Sequence, residues 1–182
     1  MTEVINYLFD AYANYSAFEI VLECLAFGFG IISVIYAKRE NILVYPTGIT
    51  CTLITMYFMF SERLIGHMMV NLFYTLMSIY GWWNWSRKEN DVVKVKISTF
   101  GFKDFPKATL IFFFIVFISY FSHDYFNTDL GVYASLDIFT SGIFVTAMWL
   151  MANKKLENWV LWIIGNVITI PLYFGSDKII LS

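Results

Sequence analysis

Charge is scarce in this chain. Only 14% of its 182 residues are Asp, Glu, Lys or Arg, against roughly 25% in a soluble domain. So few ionised groups cannot cover a water-exposed surface, which excludes an ordinary soluble globule. The net charge of −2 also removes the general basic footprint that nucleic acid needs, so no nucleic-acid partner is expected. Cysteine is almost absent. Cys24 and Cys51 both lie in apolar runs, where a thiol is a small hydrophobe, and two such residues define no disulfide framework or metal site. The N-terminus, MTEVINYLFDAYANYSAFE, has no Lys or Arg. It therefore lacks the positive n-region of a cleavable signal, and the first apolar segment is expected to remain as a span. The motifs GxxxxGK, HExxH, CxxC and GxSxG are missing too, which removes the usual routes to nucleotide, zinc and nucleophile chemistry. His67 and His123 are far apart in sequence and have no nearby partner for a metal pair. Neither an enzyme nor a cofactor is expected.

What the chain has instead is apolar surface: 59% hydrophobic and 20% aromatic residues. Apolar runs cover about 20–37, 42–60, 64–85, 106–122, 133–152 and 158–174, each near the roughly 20 residues that cross a bilayer. The first, third and fifth loops hold Lys38 and Arg39, then Arg87, Lys88, Lys94, Lys96, Lys103 and Lys107, then Lys154 and Lys155. Those are ten of the twelve basic residues. The second loop has Arg63 beside Glu62, and the fourth is the acidic HDYFNTD. By the positive-inside rule the odd loops are cytoplasmic and the N-terminus is outside. One membrane domain, 1–182, is expected, with no separate soluble domain.

The third loop, about 86–105, divides three spans from three. Its DVVKVKISTF alternates, as a short strand or a surface segment would. The groups on either side resemble each other. A shift of 117 places Glu40, Asn41, Gly48 and Thr52 on Glu157, Asn158, Gly165 and Thr169, with Tyr45 on Trp162. That reading gives a first three-helix repeat at about 16–86, a linker helix at 106–122 and a second, incomplete repeat at 133–182. Two three-helix units running parallel is an architecture of transporters with parallel repeats. The third helix of the second unit is expected just past residue 182.

Several polar residues stand where lipid should be. Glu23 is in the first span, His67 and Asn71 in the third, Asp137 and Thr140 in the fifth, and Asn166 in the sixth. Such groups usually face a bundle interior or a water-filled cavity. Asn166 lies about 12 Å from the cytoplasmic end of its span at 1.5 Å per residue, too deep to reach an interface. Trp159, Trp162 and Asn166 fall at i, i+3 and i+7, which places two indoles and an amide on one helical face. A desolvated indole face attracts a cation by about 2 kcal/mol or more. Glu23 and Asp137, near the outer ends of their spans, would pre-concentrate one. The bland alternatives are interhelical hydrogen bonds for Asn166 and interfacial anchoring for Trp159. For Trp82, Trp83 and Trp85 in YGWWNWSRK, an aromatic belt followed by basic anchors is expected.

Two segments carry a family resemblance. ENWVLWIIGNVITIPLYF, preceded by MANKKL, resembles the sixth-span signature of the PnuC vitamin transporters. SIYGWWNWSRK is similar to that family's close of span three, and Glu23 precedes Gly48 at a spacing like that of the family's first-span glutamate. The resemblance covers about 18–174. It implies an all-α integral membrane protein with a SWEET-like 3+1+3 helix bundle, six of whose spans are present here. It further implies a homotrimer in a bacterial inner membrane. The activity implied is facilitated diffusion of an unphosphorylated vitamin, most often nicotinamide riboside, trapped afterwards by a cytoplasmic kinase. Substrate contact then falls to Trp159, Trp162 and Asn166, joined by Asn71 (where the family often has Gln), Tyr74, Glu23, Asp137 and Thr140. Thiamine, also a flat cation, suits the same wall; riboflavin, being neutral, gains less. A non-transporting membrane subunit or receptor is the reading from another class.

Overall fold

The computed structural model describes residues 16–61, 65–89, 92–93, 95–125 and 131–175. Its described residues form α1 (Ala17–Lys38), α2 (Val44–Ser61), α3 (Ile65–Ser86), α4 (Phe105–Tyr125), α5 (Val132–Ala152) and α6 (Asn158–Gly175). These follow the six apolar runs closely. In lipid a helix satisfies its own backbone, so the apolar run and the helix share their bounds. The helices Ala17–Lys38, Phe105–Ser122 and Ala134–Ala152 are long and apolar enough to cross a membrane by length and composition. The stretch Asn158–Pro171 of α6 is apolar but shorter.

Local chemistry sets the ends. The Ser16 N–H donates to the Glu19 carboxylate at 2.7 Å, and the Glu19 N–H donates back to Ser16 Oγ at 3.3 Å. This reciprocal pair satisfies two of the donors left over at the start of α1. At its other end Glu40 turns into the left-handed region, φ 52, and at the end of α5 Lys154 does the same, φ 53.

Those two turns are the same structure. The N–H groups of Arg39, Glu40 and Asn41 donate to the carbonyls of Ile35, Ala37 and Tyr36. Those of Asn153, Lys154 and Lys155 donate to Trp149, Met151 and Leu150. The next helices open alike: Val44, Tyr45 and Thr47 donate to Asn41, Ile42 and Leu43, while Asn158, Trp159 and Leu161 donate to Lys155, Leu156 and Glu157. Every bond has its counterpart 114 residues on, as 153 − 39 = 114 shows. The bounds of α2 and α6 coincide at that offset, and Glu23 falls on Asp137. The match of identical letters at 117 therefore sits three residues off the backbone equivalence. Three residues is nearly one helical turn, so similar residues still fall on neighbouring faces and the letters match there.

Helix packing runs from α1 to α2, to α3, to α5 and to α6, with α4 against α5. The centre is α5, where Ile138, Ile143, Val145, Ala147, Leu150 and Ala152 are buried. Small residues on that helix let neighbours approach closely, the common means of joining helices in lipid. Outward faces are apolar and open, as at Phe27, Leu110, Phe113 and Phe117.

At the end bearing the odd loops, Val44, Tyr45 and Trp85 form a buried cluster with Tyr36, Ala37, Ile42 and Met151 around it. Trp82 and Trp83 are exposed, as a belt requires, but Trp85 is 6% exposed. Its Nε1 donates to the Ala152 carbonyl at 3.1 Å, beside Asn84 Nδ2 at 2.9 Å. Trp85 thus belongs to the core, because the last carbonyl of α5 needs a donor.

The third loop does contain strand: Lys88–Glu89 (β1) pairs antiparallel with Val92–Val93 (β2). Beyond it the chain is pinned to the α5–α6 turn. Ser98 donates to the Lys154 carbonyl and accepts from the Leu156 N–H, both at 3.1 Å. Lys155 bridges to Asp104 at 2.7 Å, and the Phe100 N–H donates to Glu157 Oε2.

Candidate functional site

The residues singled out above divide among four helices. Trp159, Trp162 and Asn166 are on α6, Asp137 and Thr140 on α5, Asn71 and Tyr74 on α3, and Glu23 on α1. Packing of α5 against both α3 and α6 makes α5 the element that links the first and third of these sets. Glu23 is half-buried on a helix that packs on α2, so the packing does not bring it against α6.

On α6 the side toward α5 carries Asn158, Trp162 and Gly165, while Trp159, Ile163, Asn166 and Ile170 are exposed. The last four are spaced four, three and four apart, the repeat of one helical stripe. Trp162 sits at the border of that stripe, half-buried. Its ring is stacked on Phe144 of α5, with centroids 5.4 Å apart and planes inclined by 30°. Asn166 Nδ2 donates to the Trp162 carbonyl at 2.8 Å. The amide donor is thus held by its own helix while the side chain stays exposed. An exposed amide this deep in an apolar helix has no place against lipid; it belongs beside a polar partner or a cavity.

The remaining candidates have identifiable partners. Thr140 is buried, and its hydroxyl donates to the carbonyls of Leu136 at 2.9 Å and Asp137 at 3.1 Å. It is therefore bonded within its own helix. Asn71 Nδ2 reaches Met59 Sδ at 3.2 Å, and its carbonyl accepts from Thr75 Oγ1 at 3.0 Å. Thr75 in turn meets Thr52 at 2.9 Å, so a polar seam runs between α2 and α3. Tyr74 and Asp137 are half-buried. The side chains of His67 and His123 lie outside the described residues.

Reasoning from sequence missed Phe144. The available signal was Gly165, which is buried in the middle of the apolar helix α6. A Cβ built there would stand 2.3 Å from Phe144 Cε1. A glycine in such a place marks a close approach rather than a bend.

A family model described as nicotinamide mononucleotide transporter matches residues 20–182. Among solved structures, the chain is similar to the crystal structure of the vitamin B3 transporter PnuC. Identity is 18% and the TM-score 0.58, with 93% of this chain and 84% of that one covered. At that identity the likeness speaks for the fold.

Proposed function

This chain belongs to the nicotinamide mononucleotide transporter family, and from that premise we propose that it passes nicotinamide riboside across a bacterial inner membrane by facilitated diffusion. A cytoplasmic kinase then traps the product. The supporting observation is the chemistry of the open α6 stripe and its surroundings. A stacked indole, a second indole and an amide suit a flat pyridinium carrying hydroxyls. The candidate residues include two carboxylates, Glu23 and Asp137, and no Lys or Arg. A mononucleotide would bring a phosphate, which calls for charge-assisted partners. The described Lys and Arg residues stand instead in the odd loops or at the helix ends beside them. That favours the nucleoside over its phosphate. The basic-residue split supports an outside N-terminus, the matched turns support parallel repeats, and a trimer follows from the PnuC resemblance.

Titration of the purified protein separates the readings. Nicotinamide riboside is expected to bind at least about tenfold more tightly than nicotinamide mononucleotide. Equal affinity for the phosphate overturns the proposal. Binding of thiamine without nicotinamide riboside moves the assignment to that vitamin. In sealed vesicles the substrate should equilibrate and stop, whereas accumulation driven by an imposed ion gradient would show active transport.

A further inference from the structure

Phe144 has no polar atom and stands outside every motif, yet the contact it makes is built from both sides. Its ring lies parallel to within 30° of the Trp162 indole at 5.4 Å. Offset stacking at this range is a favoured arrangement of two aromatic rings. The ring is seated by Gly165, three residues beyond Trp162. Any side chain there would enter it, since even a Cβ stands 2.8 Å from Phe144 Cδ1 and Cζ. On the indole's own helix, Asn166 holds the Trp162 carbonyl. One face of the indole is therefore already occupied by protein.

We propose that Phe144 is a specificity-determining positioning residue: it fills one face of Trp162, fixes the plane of that ring and leaves the opposite face for a flat, cationic aromatic substrate. The inference rests on the reading of Trp162 as a substrate-binding residue. A side chain free to turn about its two torsions spends part of its time presenting an edge, and the positive edge of the ring repels a cation that the face attracts. Phe144 removes that freedom before the substrate arrives, so less ordering is left to do on binding. It also sets the kind of ligand. A platform of fixed plane rewards a flat ring and gives nothing to a sugar alone.

The test is calorimetric titration of nicotinamide riboside against the parent, Phe144→Leu, Phe144→Met, Phe144→Tyr, Trp162→Ala and the Phe144→Leu/Trp162→Ala double variant, with thermal unfolding to confirm each fold. Phe144→Leu should weaken binding about tenfold, and Phe144→Tyr, which keeps the stacking face, should stay within about threefold of the parent. In the Trp162→Ala background Phe144→Leu should cost nothing more, because the plane it fixes is gone. Should Phe144→Leu fail to fold, Phe144→Met keeps similar volume without a ring and takes its place. Parent-like affinity in the folded Phe144 variants, with Trp162→Ala impaired, overturns the inference and leaves the binding site standing. Additive losses in the double variant overturn it as well. Parent-like affinity in Trp162→Ala removes the site itself, and the inference with it.

Discussion

Glycine does opposite things in different helices here, and single methyl groups tell them apart. Gly81 lies under the ring of Tyr45, where a Cβ would stand 2.3 Å from Cε1. Tyr45 is wholly buried and meets Trp85 edge-on at 5.1 Å, so it has no room to retreat. Gly81→Ala should lower stability by about 1–3 kcal/mol through overpacking. Gly28 has nothing within 4 Å of its would-be Cβ, and Gly28→Ala should stay within about 1 kcal/mol of the parent. Thermal unfolding of both variants in one detergent checks the contrast; equal midpoints would mean that the Tyr45–Gly81 contact yields easily. Trp162 was legible in the sequence because an indole a full turn inside a lipid-bound helix needs an explanation. Phe144 was not. One phenylalanine among 19 gives no sign of which neighbour it will stack on, and only the close approach at Gly165 selects it.

At the scale of elements, the tie between the third loop and the α5–α6 turn carries its own pH dependence. The Lys155 ammonium and the Gly101 N–H hold the Asp104 carboxyl below the usual carboxylate range. A carboxyl lowered by folding contributes stability that is present above its unfolded pKa and lost as pH falls through the lowered value. The tie should thus persist from neutral pH down through the ordinary carboxylate range and loosen only beyond it. Hydrogen exchange at the amides of Ser98 and Leu156 reads this directly. In Asp104→Asn those amides should exchange faster already at neutral pH, and unchanged exchange would place the tie in the backbone bridge alone. The helices themselves were legible nearly to the residue, since lipid forces backbone bonding into continuous apolar runs. The tie was not, because Ser98 and Lys154 are paired by tertiary packing and nothing local in DVVKVKISTF specifies it. For the turns after α1 and α5, the sequence match stood in a different register from the backbone match. Identical letters sat one turn away from identical backbone, and only the hydrogen bonds around Glu40 and Lys154 fixed the offset at 114 residues.

That offset has a consequence for the molecule as a whole. Glu40 and Lys154 are equivalent positions in the two matched units, and they face one another, with Lys154 Nζ 4.0 Å from Glu40 Oε2. Two equivalent points that touch must lie close to the axis relating their units. If a two-fold axis relates the two units, as the proposed parallel repeats require, the pair marks where it leaves the protein at the end bearing the basic loops. Lys154 also lies 4.4 Å from the centre of the Trp85 ring, and Trp85 and Asn84 bind the last carbonyl of α5. On the proposed transport function, a substrate leaving between the two units on this side would have to part these contacts. The ion pair is weak, with the Glu40 side chain 49% exposed, and an exposed pair contributes about 0–1 kcal/mol. It is suited to opening. In a background with Cys24 and Cys51 replaced by alanine, Glu40→Cys and Lys154→Cys joined by a short bifunctional thiol reagent should abolish vesicle uptake. Calorimetric binding of nicotinamide riboside should remain, because the α6 stripe is untouched. Uptake that survives complete cross-linking would mean that the two units do not separate here, and the exit would have to lie away from the axis.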